Sequence, residues 1–343
     1  MAAATINGKD CYATTVCVTG ATGFVASWLV KRLLEKGYTV HATVRDPENK
    51  MKVRHLLDIP KAGEKLKLFR ADLIEEGSFD AAINGCDGVF HVASPVDFTP
   101  KDPENDVIKP AVDGTLNVLR ACTKAKTVKR VVVTSSTASA CINESEEQDQ
   151  YIDETCWTDV DFLRSKEPPA WAYGVAKTLA EQAALQYGKD DAGLDVVTIN
   201  PVLVVGSAIT PNVPYTVGLT LSLLTGNDQS IEALKWIQKI YGAVSLVHVD
   251  DVSSAQIFLM ENPSAYGRYI CSAINISVPQ LAHYLSKRYP QYNVTTQFDD
   301  VPPIPKVNPS SKKLVDSGFS FKFGIDQIID EGVEYLKTKG LLD

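Results

Sequence analysis

Residues 15–20 read Thr15-Val16-Cys17-Val18-Thr19-Gly20, and residues 24–36 read FVASWLVKRLLEK. The first is a short β-branched run closed by a glycine. The second places Val25, Leu29 and Leu33 at helical spacing. Strand, glycine turn, helix is therefore the opening unit, and it repeats outward. YTVHATVR (38–45), KLKLFRAD (65–72), GVFHVAS (88–94), KRVVVTSS (129–136) and LDVVTIN (194–200) each read as a strand. Helical segments fall between them, the clearest over 107–125, where Val107, Ala111, Val112, Leu116, Leu119 and Cys122 trace one face, and a further one at about 171–187. Strands alternating with helices at this spacing predict an α/β fold built on a parallel, doubly wound sheet of the Rossmann type.

Beyond Pro201 the rhythm breaks: prolines stand at 211 and 214, a helical stretch lies near 230–241, and VPPIPKVNP fills 301–309. The expectation is a nucleotide-binding domain over 1–200 and a smaller, mainly substrate-binding domain over 201–343. The segment VSLVHVDDVSSAQIFLM (244–260) reads as strand then helix, so about 244–265 is expected to return to the main sheet. Acidic ESEEQDQ (144–150) reads as a solvated loop.

The 343 residues are 45% hydrophobic and 22% charged, which excludes a disordered or fibrous chain. Against 42 acidic side chains stand 34 basic ones, scattered rather than clustered, for a net charge of -8; electrostatic binding of nucleic acid or an anionic membrane is not expected. The seven cysteines include no C-x-x-C pair, which argues against a disulfide framework or a metal site. The first residues lack the pattern of an export signal, and no apolar run approaches about 18 residues, so a cytoplasmic protein is expected.

The turn Gly20-Ala21-Thr22-Gly23-Phe24-Val25-Ala26 has the spacing G-x-x-G-x-x-A. A first glycine permits the tight turn, and a second lets helix N-terminal amides approach a pyrophosphate. Such a turn also occurs in ordinary strand–helix connections, but its place after the first strand favours a dinucleotide. At the end of the second strand, Arg45 is placed to pair a 2′-phosphate, which favours NADP; a solvated arginine is the alternative, with Asp46 beside it. Lys52 is a second candidate for that phosphate. Asp72 fits either an acceptor for the adenine amino group or a helix N-cap.

Tyr173 and Lys177 stand at i and i+4 in WAYGVAK (171–177), neighbours on one helix face. An ammonium beside a phenol favours the phenolate and eases proton exchange near neutrality. The pair follows Thr134-Ser135-Ser136, at the carboxyl end of a strand, where such sheets bind ligands. Alternation along the strand would aim only one of Ser135 and Ser136 at a substrate. Trp171 and Trp236 are candidates to stack an aromatic ring but fit a core role better, His91 fits packing beside a cofactor, and Asp250-Asp251 reads as an N-cap.

With glycine turn, strand-end serine and Y-x-x-x-K in this order, the chain resembles the extended short-chain dehydrogenases/reductases, and within them the plant dihydroflavonol reductase-like group. TVRDPEN (43–49), FHVASPVDF (90–98), KDPENDVIKPAVDG (101–114), KTLAEQAA (177–184) and RYICSA (268–273) carry that likeness over nearly the whole chain. The resemblance implies Tyr173 as proton donor, Lys177 as the residue that positions the nicotinamide ribose, and Ser136 as the group orienting the substrate. It implies contacts to NADPH from Thr19, Gly20, Thr22, Gly23, Phe24 and Val25, from Arg45, Lys52, Asp72 and Leu73, and from Val92, Ala93 and Ser94. Tyr173, Lys177, Pro201 and Val204 complete that set, and Ser94, Ser136, Cys141 and Tyr173 would meet the substrate.

Dihydroflavonol reductases usually carry an asparagine five residues past the serine, where this chain has Cys141. The stretches 225–251 and 277–294 are similar instead to the anthocyanidin-reducing branch, and the N-W-Y-C-Y signature of cinnamoyl-CoA reductases is absent. The resemblance thus implies NADPH-dependent reduction of a flavonoid of the cyanidin type to a 2,3-cis flavan-3-ol. Reduction of dihydroflavonols is the alternative within the group, and a non-catalytic dinucleotide sensor or scaffold is the alternative of another class. Association with other flavonoid-pathway enzymes is also implied, and no metal.

Overall fold

The computed structural model describes residues 14–142, 150–191 and 193–343. The β-branched runs form the expected strands: β1 (Thr15–Val18), β2 (Thr39–Val44), β3 (Leu66–Arg70), β4 (Gly88–His91), β5 (Arg130–Thr134), and, after the short β6 (Gln150–Ile152), β7 (Asp195–Pro201). Beyond them lie β8 (Leu203–Val205), β9 (Val244–His248), β10 (Gly267–Cys271), β11 (Ile274–Ile276) and β12 (Val307–Pro309). Seven of these make one parallel sheet in the order β10-β7-β5-β4-β1-β2-β3. The chain reverses its winding between β1 and β4, and the crevice above their carboxyl ends is where ligands of such sheets bind.

Both faces of the sheet are covered, which is why its central strands can be apolar without alternation. The helices that matter for the site are α1 (Phe24–Glu35), α2 (Lys109–Ala125), α3 (Trp171–Asp190), α4 (Asp228–Tyr241), α5 (Val249–Glu261), α6 (Val278–Arg288) and α7 (Ile325–Thr338). Leu29, Leu33, Val252 and Leu259 of α1 and α5 bury one face of the sheet with Val16, Phe90 and Val132. Val118, Leu119 and Cys122 of α2 and Ala184 of α3 bury the other with Val89 and Val131.

The C-terminal elements have a core of their own, with Leu219, Leu234, Leu281, Leu285, Ile328, Val333 and Leu336 at its centre. One expectation is corrected here. Strand 244–248 does not rejoin the main sheet; it lies between β8 and β11 in a separate three-stranded sheet. Helix α5 does pack on α1, and the strand that returns to the main sheet is β10, paired with β7. Asp250 and Asp251 do not cap α5 either. His248 is the N-cap, its Nδ1 accepting the Asp250 amide at 3.1 Å. The two carboxylates instead tie units together: Asp250 accepts from Trp28 Nε1 at 2.9 Å and pairs with Arg32, while Asp251 accepts the Lys322 and Phe323 amides. The acidic stretch expected to be a solvated loop lies outside the described residues except for Gln150, which opens β6.

Candidate active site

The turn after β1 is shaped for close approach. Gly20 has φ +68°, and a Cβ there would fall 2.9 Å from Ala93 Cα, so glycine is required on two counts. The Ala21 amide donates to Thr43 O at 2.9 Å and the Gly23 amide to Gly20 O at 3.0 Å, fixing the loop against β2. Exposed Gly23 is the N-cap of α1, with no capping side chain and no acidic residue in the first turn; Thr22, Phe24 and Val25 frame that end half-buried. A helix N-terminus left open in this way suits the negative charge of a pyrophosphate. Thr19 plays a different part from the rest of the turn. It is fully buried, and its Oγ1 accepts the Val92 and Ala93 amides at 3.0 Å each and pairs with His91 Nδ1 at 2.9 Å. Its hydroxyl locks the β4 loop to β1.

Arg45 emerges at the end of β2, exposed and without a hydrogen-bond or ion-pair partner among the described residues; Lys52 is exposed in the first turn of the short helix Lys50–Leu57 that follows. Asp72 does not cap a helix. Its Oδ1 accepts the Ile74 amide at 3.2 Å in a turn, and the next helix starts only at Asp80. Leu73 packs over Gly114 of α2, where a Cβ would lie 2.7 Å from its own. Val92, Ala93 and Ser94 leave β4 half-buried, Ser94 Oγ donating to Pro95 O at 3.4 Å, and Pro201 and Val204 line the end of β7 and the strand after it.

Beyond β5 the two serines part. Ser135 is buried and donates to Glu181 at 2.7 Å, whereas half-buried Ser136 accepts the Ala138 amide at 3.1 Å and turns its hydroxyl to Tyr173. Burial pushes the Tyr173 phenol up, and hydrogen bonding with Ser136 opposes it. The expected lowering of the phenol by Lys177 is corrected: burial raises it, and the group that opposes this is Ser136. Lys177 is itself buried, donates from Nζ to Thr134 O at 3.1 Å and lies 5.9 Å from the Tyr173 ring centroid. Burial lowers its pKa to about 8, with the Glu181 charge working the other way. His91, sealed between Thr19 and Thr115, is lowered to about 3 by burial and by Lys177, so it is neutral and packs rather than reacts.

Three aromatic residues beside the phenol were not singled out in the sequence. Phe98, from the loop after β4, lies 5.4 Å from Tyr173 and 4.9 Å from Tyr215, ring centroid to centroid. Tyr241, at the end of α4, packs beside Tyr173 and Cys141. Cys141 is only 5% exposed and sits among Ala140, Ile152, Ile270 and Val307, so it offers the cleft little surface. Trp171 joins an apolar cluster and Trp236 is 45% exposed. Among the described residues no three His, Cys, Asp or Glu side chains converge as a metal site, the six cysteines are free, and no helix is long and apolar enough to cross a membrane; Cys11 lies outside them.

A phosphate-ready glycine turn and a Ser136–Tyr173–Lys177 group at the carboxyl edge of a doubly wound sheet define a nicotinamide-dinucleotide oxidoreductase of the extended short-chain type. The chain belongs to the NAD dependent epimerase/dehydratase family, whose model matches residues 16–276. It is 68% identical to a putative anthocyanidin reductase of Ginkgo biloba over 96% of each chain. It is 56% identical to a (2S)-flavan-3-ol-forming anthocyanidin reductase of Vitis vinifera, again over 96% of each. A dihydroflavonol 4-reductase of Callistephus chinensis is 49% identical over 96% of this chain and 88% of its own length. Among solved structures, vestitone reductase from alfalfa superposes with a TM-score of 0.82 at 40% identity, covering 96% of this chain and 99% of that one. The Candida albicans Gre2 complex with NADPH gives 0.80 at 26% identity over 95% and 99%.

Proposed function

We propose that this protein reduces anthocyanidins to flavan-3-ols with NADPH as the hydride source. The observation that carries the reading is the aromatic wall of Phe98 and Tyr215 set against Tyr173 and Ser136, a slot suited to a flat aromatic ring beside a proton donor. The cofactor, when bound, supplies hydride from its nicotinamide ring. Gly20 and the open end of α1 hold its pyrophosphate, Arg45 and Lys52 meet its 2′-phosphate, and Lys177 meets the nicotinamide ribose. A flavylium ring is cationic and accepts hydride directly; taking cyanidin to a flavan-3-ol needs two hydrides and one proton. Tyr173 gives the proton, Ser136 orients the ring oxygen, and the Lys177 ammonium stabilises the phenolate that remains.

Identity of 68% and 56% to the Ginkgo and Vitis anthocyanidin reductases, against 49% to the Callistephus dihydroflavonol reductase, favours this substrate over the alternative. Residence in the cytoplasm and association with other flavonoid-pathway enzymes belong to the same reading, and co-purification from plant tissue tests the association. The deciding experiment incubates purified protein with NADPH and either cyanidin or dihydroquercetin and separates the products on a chiral column. A 2,3-cis flavan-3-ol from cyanidin is expected; leucocyanidin from dihydroquercetin as the dominant product, with no flavan-3-ol, overturns the reading. Tyr173→Phe should bind NADPH nearly as the parent does and lose about 10²- to 10⁴-fold in turnover, because only the acidic hydroxyl is removed.

A further inference from the structure

We propose that Glu181, clamped by Arg268, is a positioning residue that acts through Lys177 and the Ser136 loop. Tyr173, Lys177 and Glu181 stand at i, i+4 and i+8, so one face of α3 carries phenol, ammonium and carboxylate in descending order into the protein. Glu181 is 0% exposed and Arg268, on β10, 6%, with Nε and Oε1 2.9 Å apart. The carboxylate is saturated: Oε1 also accepts from Thr198 Oγ1 at 2.6 Å, and Oε2 from Ser135 Oγ and Asn200 Nδ2 at 2.7 Å each, from Ser139 Oγ, and from an Arg268 Nη at 3.4 Å. Asn200 Nδ2 reaches on to Ser136 O at 3.3 Å, so the serine's backbone hangs on the same carboxylate. Arg268 is held in turn by Glu154 O at 3.1 Å and Cys156 O, with its guanidinium 3.6 Å above the Trp157 ring.

An ion pair buried this deeply contributes little to stability compared with an apolar pair of the same volume, so its presence under the site points to another use. That use is electrostatic. Lys177, Glu181, His91, Thr115 and Ser135 line one small cavity of about 20 Å³. Of the groups facing Lys177, His91 from β4 and Tyr173 from α3 are neutral, α2 presents only the Thr115 hydroxyl, and β5 presents Thr134 and Ser135. Among the described residues Glu181 is the charge that favours the ammonium there, and Arg268 is its paired counter-charge.

The inference rests on Lys177 supporting phenol and cofactor, but not on the identity of the substrate. Its test is the pH dependence of NADPH affinity, read from the fluorescence of the bound nicotinamide without substrate, and of kcat/KM with cyanidin, in the full chain. Both should fall as Lys177 loses its proton near pH 8. Removing the carboxylate in Glu181→Gln should move that limb to lower pH by about one unit, roughly a fivefold loss at pH 8. In Arg268→Gln, four neutral donors still hold the Glu181 side chain in place while its counter-charge is gone, so the limb should move to higher pH. Opposite displacements cannot come from loosened packing, which would lower affinity evenly across pH. Folded Glu181→Gln protein, by circular dichroism, with both limbs where the parent has them would overturn the proposal. Should Glu181→Gln fail to fold, an unmoved or acid-shifted limb in Arg268→Gln does so. Absence of any turnover of cyanidin by the parent, with the affinity limb displaced as stated, counts against the proposed substrate alone.

Discussion

At the scale of single residues, chemistry is governed by what each side chain is already bonded to. Arg45 is exposed at the strand end and has no partner among the described residues, which suits it to bind an anion; a guanidinium on a phosphate makes bidentate, charge-assisted hydrogen bonds. Arg45→Ala is expected to weaken NADPH binding by at least about tenfold and NADH binding little, as titration of both cofactors would show. Equal affinities before and after substitution remove Arg45 from the cofactor site. Cys141 is the opposite case. In sequence it stands where related enzymes have an amide, yet the structure seals it among apolar neighbours. Cys141→Asn buries an amide in that cluster, and chemical denaturation should register a loss of about 1–3 kcal/mol. The split between Ser135 and Ser136 was legible as alternation along a strand. The reason Ser135 points inward was not, because its acceptor, Glu181, stands 46 residues away.

Elements were legible to the extent that their signals are local. β-branched runs gave β1, β2 and β5, the first closed by Gly20, and periodic apolar residues gave α1 and α2, because period and turn chemistry act within a few residues. What strand 244–248 pairs with was not local: the choice between the main sheet and β8 depends on a partner some 40 residues earlier, and the alternation of its side chains suits either. The aromatic wall was hidden for the same reason, since Phe98, Tyr173 and Tyr215 come from three separate elements. The turn after β1 allows a test at this scale. Gly20→Ala places a methyl against Ala93 backbone at a left-handed φ, so it should cost about 1–3 kcal/mol in urea denaturation and weaken NADPH binding in parallel. A substitution that leaves both unchanged would mean the loop relaxes away from β4, and the close approach is not required.

Across the whole molecule, two histidines in separate cores have charge states set by burial. His248 packs flat on Phe323 at 3.8 Å and pairs with Glu331 of α7 at 3.1 Å, while His91 is enclosed between β1 and α2. Burial lowers the pKa of both, for His91 to about 3, and the Glu331 carboxylate only partly offsets this for His248. For His91 the sign follows directly. Its folded pKa lies below the unfolded value of about 6.5, so between about pH 6.5 and pH 3 the unfolded chain binds more protons, and stability falls as pH falls through that window. The urea midpoint should therefore decline from about pH 7 to pH 5 as these two histidines acquire an unfolded-state proton preference. His91→Gln keeps a hydrogen-bonding group between Thr19 and Thr115 but does not titrate, so whatever its stability at pH 7, its decline over the same interval should be shallower. A slope equal to the parent's would assign the acid sensitivity to the His248–Glu331 contact, which His248→Gln would then flatten instead.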